Sequence, residues 1–419
     1  MTLREQNRLK VLNQVETRVL TVNKAASLLD LSERQVWRIL SGYRKEGAAA
    51  IAHGNRGRKP ANALPESVRR KIVELAKFPY TGFNHQHLTE KLSEREGILV
   101  SRSTLRNILL AAGISSPRKR RPPKHRSRRE RYPQEGMLLQ TDGSPHDWLE
   151  GRGPVLCLIG AIDDATSKVP YAFFREQEDS QGYMLLLREI VLRYGIPQAL
   201  YHDRHSIFEV LGDKEASLQA QLNGQEPLTQ IGRLLQELGI TSIAAHSPQA
   251  KGRIERLWGT FQDRLTSELR LAGARTREEA NQVLAFFLPE YNRKFAITAK
   301  EPEIAYQEVG AGFKAKEYFC FKHSRTVGAD NVVRFRDMRL QVLASEDRIS
   351  YARSKVEVYE GLDGSLAVYY RGKSLPTSIA PLEGTMLRKQ RGTGATVPLC
   401  QSRPARPAPD HPWRQWVYR

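Results

Sequence analysis

The chain has 419 residues, of which 40% are hydrophobic, enough for two to four cored domains at roughly 100–200 residues each. No run reaches the roughly 18 apolar residues of a membrane span, and the opening MTLREQNRLK lacks the apolar stretch of a secretory signal. Cys157, Cys320 and Cys400 are too scattered for a disulfide framework or a CxxC zinc site, so a reducing, cytoplasmic setting is expected.

The net charge of +20 is unevenly spread: residues 1–131 hold 29 Lys+Arg against 11 Asp+Glu, and the remainder hold 37 against 35. A positive excess confined to one end points to a polyanion, because each phosphate neutralised releases condensed counterions. An anionic membrane surface would call for a basic amphipathic helix with bulky apolar residues, and none is seen.

Residues 1–52 read as small helices. Val11, Leu12, Val15 and Val19 form one apolar stripe; a second helix at 23–29 breaks at Asp30-Leu31; Ser32 then caps a third. Val36, Ile39, Leu40 and Tyr43 take the inner face of that third helix, leaving Arg34, Gln35, Arg38 and Arg44 on other faces. This is the helix-turn-helix pattern, whose second helix enters the major groove; a solvated helical hairpin is the alternative, and the surrounding charge favours DNA.

Residues 53–64 form a basic linker in which Arg56 and Arg58 either lie in a minor groove or belong to a plain flexible tether. Residues 65–116 repeat the theme, with apolar positions at Val68, Ile72, Val73 and Leu75, then Leu88 and Leu92, then Leu105, Ile108 and Leu109. His85 and His87 have no cysteine nearby and are read as surface residues, not zinc ligands. The linker 117–132, with Lys119, Arg120 and Arg121, is a proline-broken charge run that is expected to track phosphates.

From 133 to 310 the texture is α/β, with strand-like runs at 137–140, 155–162, 169–174, 198–202 and 240–244 and helices at about 181–194, 229–238 and from 249. Three early strands followed by alternating helices and strands predict a mixed sheet covered by helices. The polar segment 211–228 looks inserted. Short strands over 325–380 suggest a small β-barrel, and the Pro/Arg-rich tail 381–419 is expected to be disordered.

Three acids stand out by placement: Asp142 after the run Met137-Leu138-Leu139, Asp203 at the end of a strand, and Glu255 near the start of a helix. On neighbouring strands the two aspartates would share one sheet edge, and the helical glutamate would close the site from the side. Hard divalent ions want such oxygen ligands. Taken singly, each acid reads more simply as a turn, cap or solvated helix residue. Asp163 and Asp164 read as hairpin-turn residues, and Asp147 could support the site. Ile254, Leu257, Trp258, Phe261 and Leu265 form a core stripe.

The order strand-Asp, strand-Asp, helix-Glu, together with the block HSPQAKGRIERLWGTFQDRL at 246–265, resembles DDE-type insertion-sequence transposases with a retroviral-integrase-like, ribonuclease-H-like catalytic core. TDGSPHDW at 141–148 and HDRHSIF at 202–208 are most similar to the ISNCY-type group. The resemblance implies a bacterial DNA transposase in which Asp142, Asp203 and Glu255 bind two Mg²⁺ or Mn²⁺ ions. It also implies hydrolysis at the element end followed by strand transfer from a 3′-hydroxyl. The expected partners are double-stranded DNA, as element ends and target, and a second copy of the chain, at least a homodimer. No P-loop is present, consistent with an ATP-independent reaction. Two departures stand out. Asp203 and Glu255 lie 52 residues apart, and Gln262 occupies a position that is often basic, so Lys251 fills that role or holds a phosphate. The rival readings are a DNA-binding regulator with a degenerate core and a nuclease of the same fold that cleaves without joining. Matched inverted repeats flanking the gene would separate them.

Overall fold

The computed structural model describes residues 2–52, 63–117, 122, 129–209, 228–245, 252–345 and 348–380. Arg56, Arg58, Lys119, Arg120, Arg121, Lys251, nearly all of 211–228 and all but the first residues of the C-terminal stretch after Ile379 lie outside these. The chain forms two compact units, Met1–Arg126 with Thr260–Ala274, and Ser127–Gly259 with Arg275–Arg419.

The first unit holds two helical modules. In the first, α1 (Leu3–Glu16), α2 (Val22–Leu29) and α3 (Glu33–Glu46) are followed by a 3₁₀ turn, Gly47–Ile51. Thr2, Thr21 and Ser32 each cap their helix through a side-chain oxygen, and Asp30 turns from α2 to α3 in the left-handed conformation. Leu12, Val15, Ala25, Ala26, Val36, Leu40 and Ile51 close one small core. The second module has α4 (Glu66–Lys77), α5 (His85–Glu96) and α6 (Arg102–Ala111) around Ile72, Leu88, Leu92, Leu105 and Leu109.

Against α5 lies residue run 260–274. His87 Nε2 meets Glu268 Oε1 at 2.7 Å, Lys91 Nζ meets the same oxygen at 2.7 Å, and Arg264 pairs with Glu90 at 2.7 Å. The expectation that His85 and His87 face solvent is therefore wrong: they are 6% and 2% exposed. The helix covering α5 comes from nearly two hundred residues further along, which no local pattern reveals.

The second unit is built on a five-stranded sheet: β1 (Leu138–His146), β2 (Leu156–Asp163), β3 (Ala172–Arg175), β4 (Ala199–His202) and β5 (Thr241–Ala244) in the order β3-β2-β1-β4-β5. β1, β2 and β3 are mutually antiparallel, and β4 and β5 run parallel to β1. α7 (Ser180–Tyr194) and α8 (Gln230–Glu237) pack Tyr183, Leu187, Ile190, Ile231 and Leu235 onto Leu139, Ile159, Ala161 and Leu200. The edge strand β3 is guarded by α10 (Arg277–Phe295): Asn281 bonds both backbone groups of Phe174, and Asn292 both groups of Val169 just before the strand. α9 (Gly252–Leu271) contributes its first two turns to this unit.

Beyond 320 the strands form two sheets and not a closed barrel. β6 (Cys320–Thr326), β9 (Lys355–Gly361), β10 (Leu366–Tyr370) and β11 (Lys373–Leu375) make one; β7 (Val332–Phe335), β8 (Met338–Val342) and β12 (Thr377–Ile379) make the other. They share an apolar core of Val333, Phe335, Leu340, Val356, Val358 and Val368. The chain passes from one sheet to the other at Pro376, between β11 and β12. The Pro376 carbonyl accepts from Leu343 N at 2.9 Å, handing the chain over to β8.

Candidate active site and nucleic-acid interface

Asp142 lies within β1, which continues to His146 and pairs Asp142 with Gly160 of β2. β1 meets β4 in parallel from Leu138↔Ala199 to Gln140↔Tyr201. Asp142 and Asp203 each lie two residues beyond the last pair of that ladder. Asp203 follows the last residue of β4, where its Oδ1 accepts the His205 N–H at 3.3 Å. Glu255 is exposed in the first turn of α9. Asp142 is thus carried by β1, and Asp203 directly follows its parallel neighbour β4. Among the described residues no three His, Cys, Asp or Glu side chains form a group placed to hold a metal ion.

A fourth acid, Glu178, joins the aspartates' surroundings. It lies against Gly143, where a Cβ would come 2.4 Å from its Oε2, and it accepts the Tyr183 hydroxyl. Burial, reinforced by the charges of Asp142 and Asp203, pushes its carboxyl above the ordinary carboxylate range. The same burial and charges push the Tyr183 hydroxyl well up. Negative charge is thus concentrated here on hard oxygen donors, the donor set that suits Mg²⁺ or Mn²⁺. Glu178 sits in a loop with Glu176 and Asp179, and nothing in its local sequence separates it from them.

Two braces join α9 to β1. The indole Nε1–H of Trp258 donates to Asp142 Oδ2 at 3.2 Å. The second brace runs through Asp164, whose side chain is wholly buried. Its Oδ1 accepts from Arg253 Nε at 2.7 Å, Gln140 Nε2 at 2.8 Å and Arg129, while Oδ2 accepts from Tyr132 N at 3.0 Å. Gln140 Oε1 in turn receives the Ile254 N–H at 3.4 Å. Gln140 and Asp142, two apart in a strand, face the same side, and both reach the helix that carries Glu255. Asp163 and Asp164 do lie at the β2–β3 turn as expected, but buried: Asp163 accepts from Gly136 N, Thr166 N and the Thr166 hydroxyl. Asp147 makes a turn contact, accepting Gly151 N–H at 3.0 Å. The stripe Ile254, Leu257, Trp258, Phe261 and Leu265 is buried as core.

In the N-terminal module, Arg34, Trp37 and Arg38 form an exposed face of α3, and Gln35 is half-buried. Arg44 pairs with Glu16 of α1 at 3.0 Å, which fixes its guanidinium beside that helix. Cys157 and Cys320 are buried free thiols. No helix among the described residues is long and apolar enough to cross a membrane.

A homeodomain-like domain model matches residues 2–52. Over 379 residues the chain is 37% identical to "Putative transposase y4bF" of Sinorhizobium fredii, covering 90% of this chain and 81% of that protein. It is 33% identical over 314 residues to the transposase for insertion sequence IS1202 of Streptococcus pneumoniae, covering 67% of this chain and 66% of that one. A helix-turn-helix module ahead of a mixed sheet with an acidic site defines a DNA-processing enzyme. The chain belongs to the insertion-sequence transposases. Among solved structures, the HTLV-2 integrase catalytic core in complex with magnesium is 14% identical, covering 36% of this chain and 84% of that one. Its TM-score of 0.27 is too low to bear on the fold.

Proposed function

We propose that this transposase cuts and joins phosphodiester bonds at Asp142, Asp203 and Glu255, with two divalent ions, Mg²⁺ or Mn²⁺, as cofactor. The observation that supports the reading is the parallel pairing of β1, which carries Asp142, with β4, which leads into Asp203, together with the bond from Trp258 on the helix of Glu255 to Asp142. The strand order β3-β2-β1-β4-β5 supports a ribonuclease-H-like core. Two ions about 3.5–4 Å apart would supply an activated attacking oxygen and a stabilised leaving oxygen. For its part, the chain holds Asp142 on the central strand, Asp203 at the end of its parallel neighbour, and Glu255 one helical turn before Trp258. Together the three carboxylates would hold the ions against the DNA phosphate.

Arg34, Gln35 and Arg38 on α3 read bases at the element end. Arg44, Arg56, Arg58, Lys119, Arg120, Arg121 and Lys251 add phosphate contacts. The working form is at least a dimer on DNA, in a bacterial cytoplasm at the nucleoid. Asp142→Asn tests the site: cleavage of a labelled element end should fall by several orders of magnitude, while a mobility-shift assay shows end binding within about twofold of wild type. Retained cleavage would remove Asp142 from the chemistry.

A further inference from the structure

We infer that Trp258 is a positioning residue for the Asp142 carboxylate, an inference that rests on the proposed metal site. Three observations converge on it. First, the indole N–H donates to Asp142 Oδ2 at 3.2 Å, from a side chain only 6% exposed. A buried indole has a single donor and loses free energy if that donor is left unmet, so the bond fixes both partners. Second, the residue opposite Asp142 on β2 is Gly160, and a Cβ there would stand 3.1 Å from Trp258 Cη2. The missing side chain lets the indole lie over the strand pair at the level of Asp142. Third, Trp258 is three residues after Glu255, and Arg253, two residues before Glu255, is held to β1 through Asp164 and Gln140. The indole and the Asp164 brace therefore fix α9 to β1 at two points on either side of Glu255.

A carboxylate offers about four lone-pair sites, so Oδ2 can accept the indole and keep lone pairs for a cation. Carboxylates that ligate metal depend on such partners for orientation, and removal of one typically costs 10–100-fold in metal affinity or activity. The bond also links the strand acid to the helix acid.

The test is Mn²⁺ binding to the full chain, followed by electron paramagnetic resonance, beside the Mg²⁺ dependence of end cleavage. Trp258→Phe keeps an aromatic ring and removes the donor. We expect Mn²⁺ affinity to fall at least tenfold, cleavage to recover substantially at high Mg²⁺, and end binding to stay unchanged. Benzothienylalanine placed at 258 keeps the bicyclic shape without an N–H; it should reproduce the defect, and it serves alone if Trp258→Phe does not fold. Wild-type Mn²⁺ affinity with the isosteric replacement overturns the inference. So does a cleavage loss that added Mg²⁺ does not relieve. Asp142→Asn separates the two levels. If it binds Mn²⁺ like wild type, the metal site itself is misassigned; if it does not while the isosteric variant does, only the role of Trp258 fails.

Discussion

Asp164 shows how much a single side chain can carry outside the reacting centre. Its carboxylate is fully buried and accepts from Arg253, Gln140, Arg129 and Tyr132 N. Arg129 is 45% exposed and can turn to water, but Arg253 is only 12% exposed. Truncating one member of a buried pair leaves the other charge without compensation, at a cost of about 3–5 kcal/mol. Asp164→Ala should therefore lower the thermal unfolding midpoint by many degrees and reduce cleavage with it, whereas Arg129→Ala should shift the midpoint by far less. Equal melting curves for Asp164→Ala and wild type would show that the buried pair contributes nothing. Sequence reasoning took Asp164 for a turn residue, and its position is indeed a turn. Its burial comes from Arg253, 89 residues away, and from the chain end of the basic linker, neither of which a local pattern discloses. Asp142, Asp203 and Glu255 could be singled out as candidates because each adjoins an apolar run that marks a strand or helix. Glu178 and Trp258 could not, since the first sits in an acidic loop and the second repeats the spacing of an ordinary core stripe.

Elements whose periodicity was strong in the sequence are present as expected: the N-terminal helices, the five core strands and the helices packed on them. Elements joined by long-range contacts were less legible, and the pairing of α5 with residues 260–274 is the main case. There, burial holds His87 below the ordinary histidine range despite its bond to Glu268, and contacts with His87 and Lys91 hold Glu268 below the carboxylate range despite burial. The sign follows for both groups. A histidine with a lowered folded value contributes stability that is present above its unfolded value, about 6.5, and is lost as pH falls through that range. Glu268 acts in the same direction at lower pH. The melting midpoint of the wild type should thus drop between pH 7 and 5.5, and His87→Gln, which keeps an amide donor for Glu268 but cannot titrate, should flatten that drop. An unchanged pH slope in His87→Gln would show that another group is responsible. The C-terminal strands were legible as strands, but their partition into two sheets was not, because it is set by pairings such as β6 with β9 and β12 with β8, between segments far apart in the chain.

Coupled insertion needs two DNA ends held together, and one chain offers one acidic site. A two-fold dimer is the simplest closed arrangement that supplies two. The first helical module of one copy could hold an end that the partner cleaves, whereas α4–α6 are held by residues 260–274 of their own chain. The architecture constrains the test of this idea. Residues 260–274 pack with α4–α6, so deleting all N-terminal helices would strip α9 of its cover. The first module has a core of its own, drawn from residues between Leu9 and Ile51, and can be removed without opening the second. A chain lacking residues 1–52 should bind ends poorly but keep its acidic site, and Asp142→Asn should bind ends and fail to cleave. Mixed, the two should restore cleavage at the specific end to a measurable fraction of wild type. If each is folded, the two co-purify and the mixture stays inactive, cleavage is performed by the copy that holds the end.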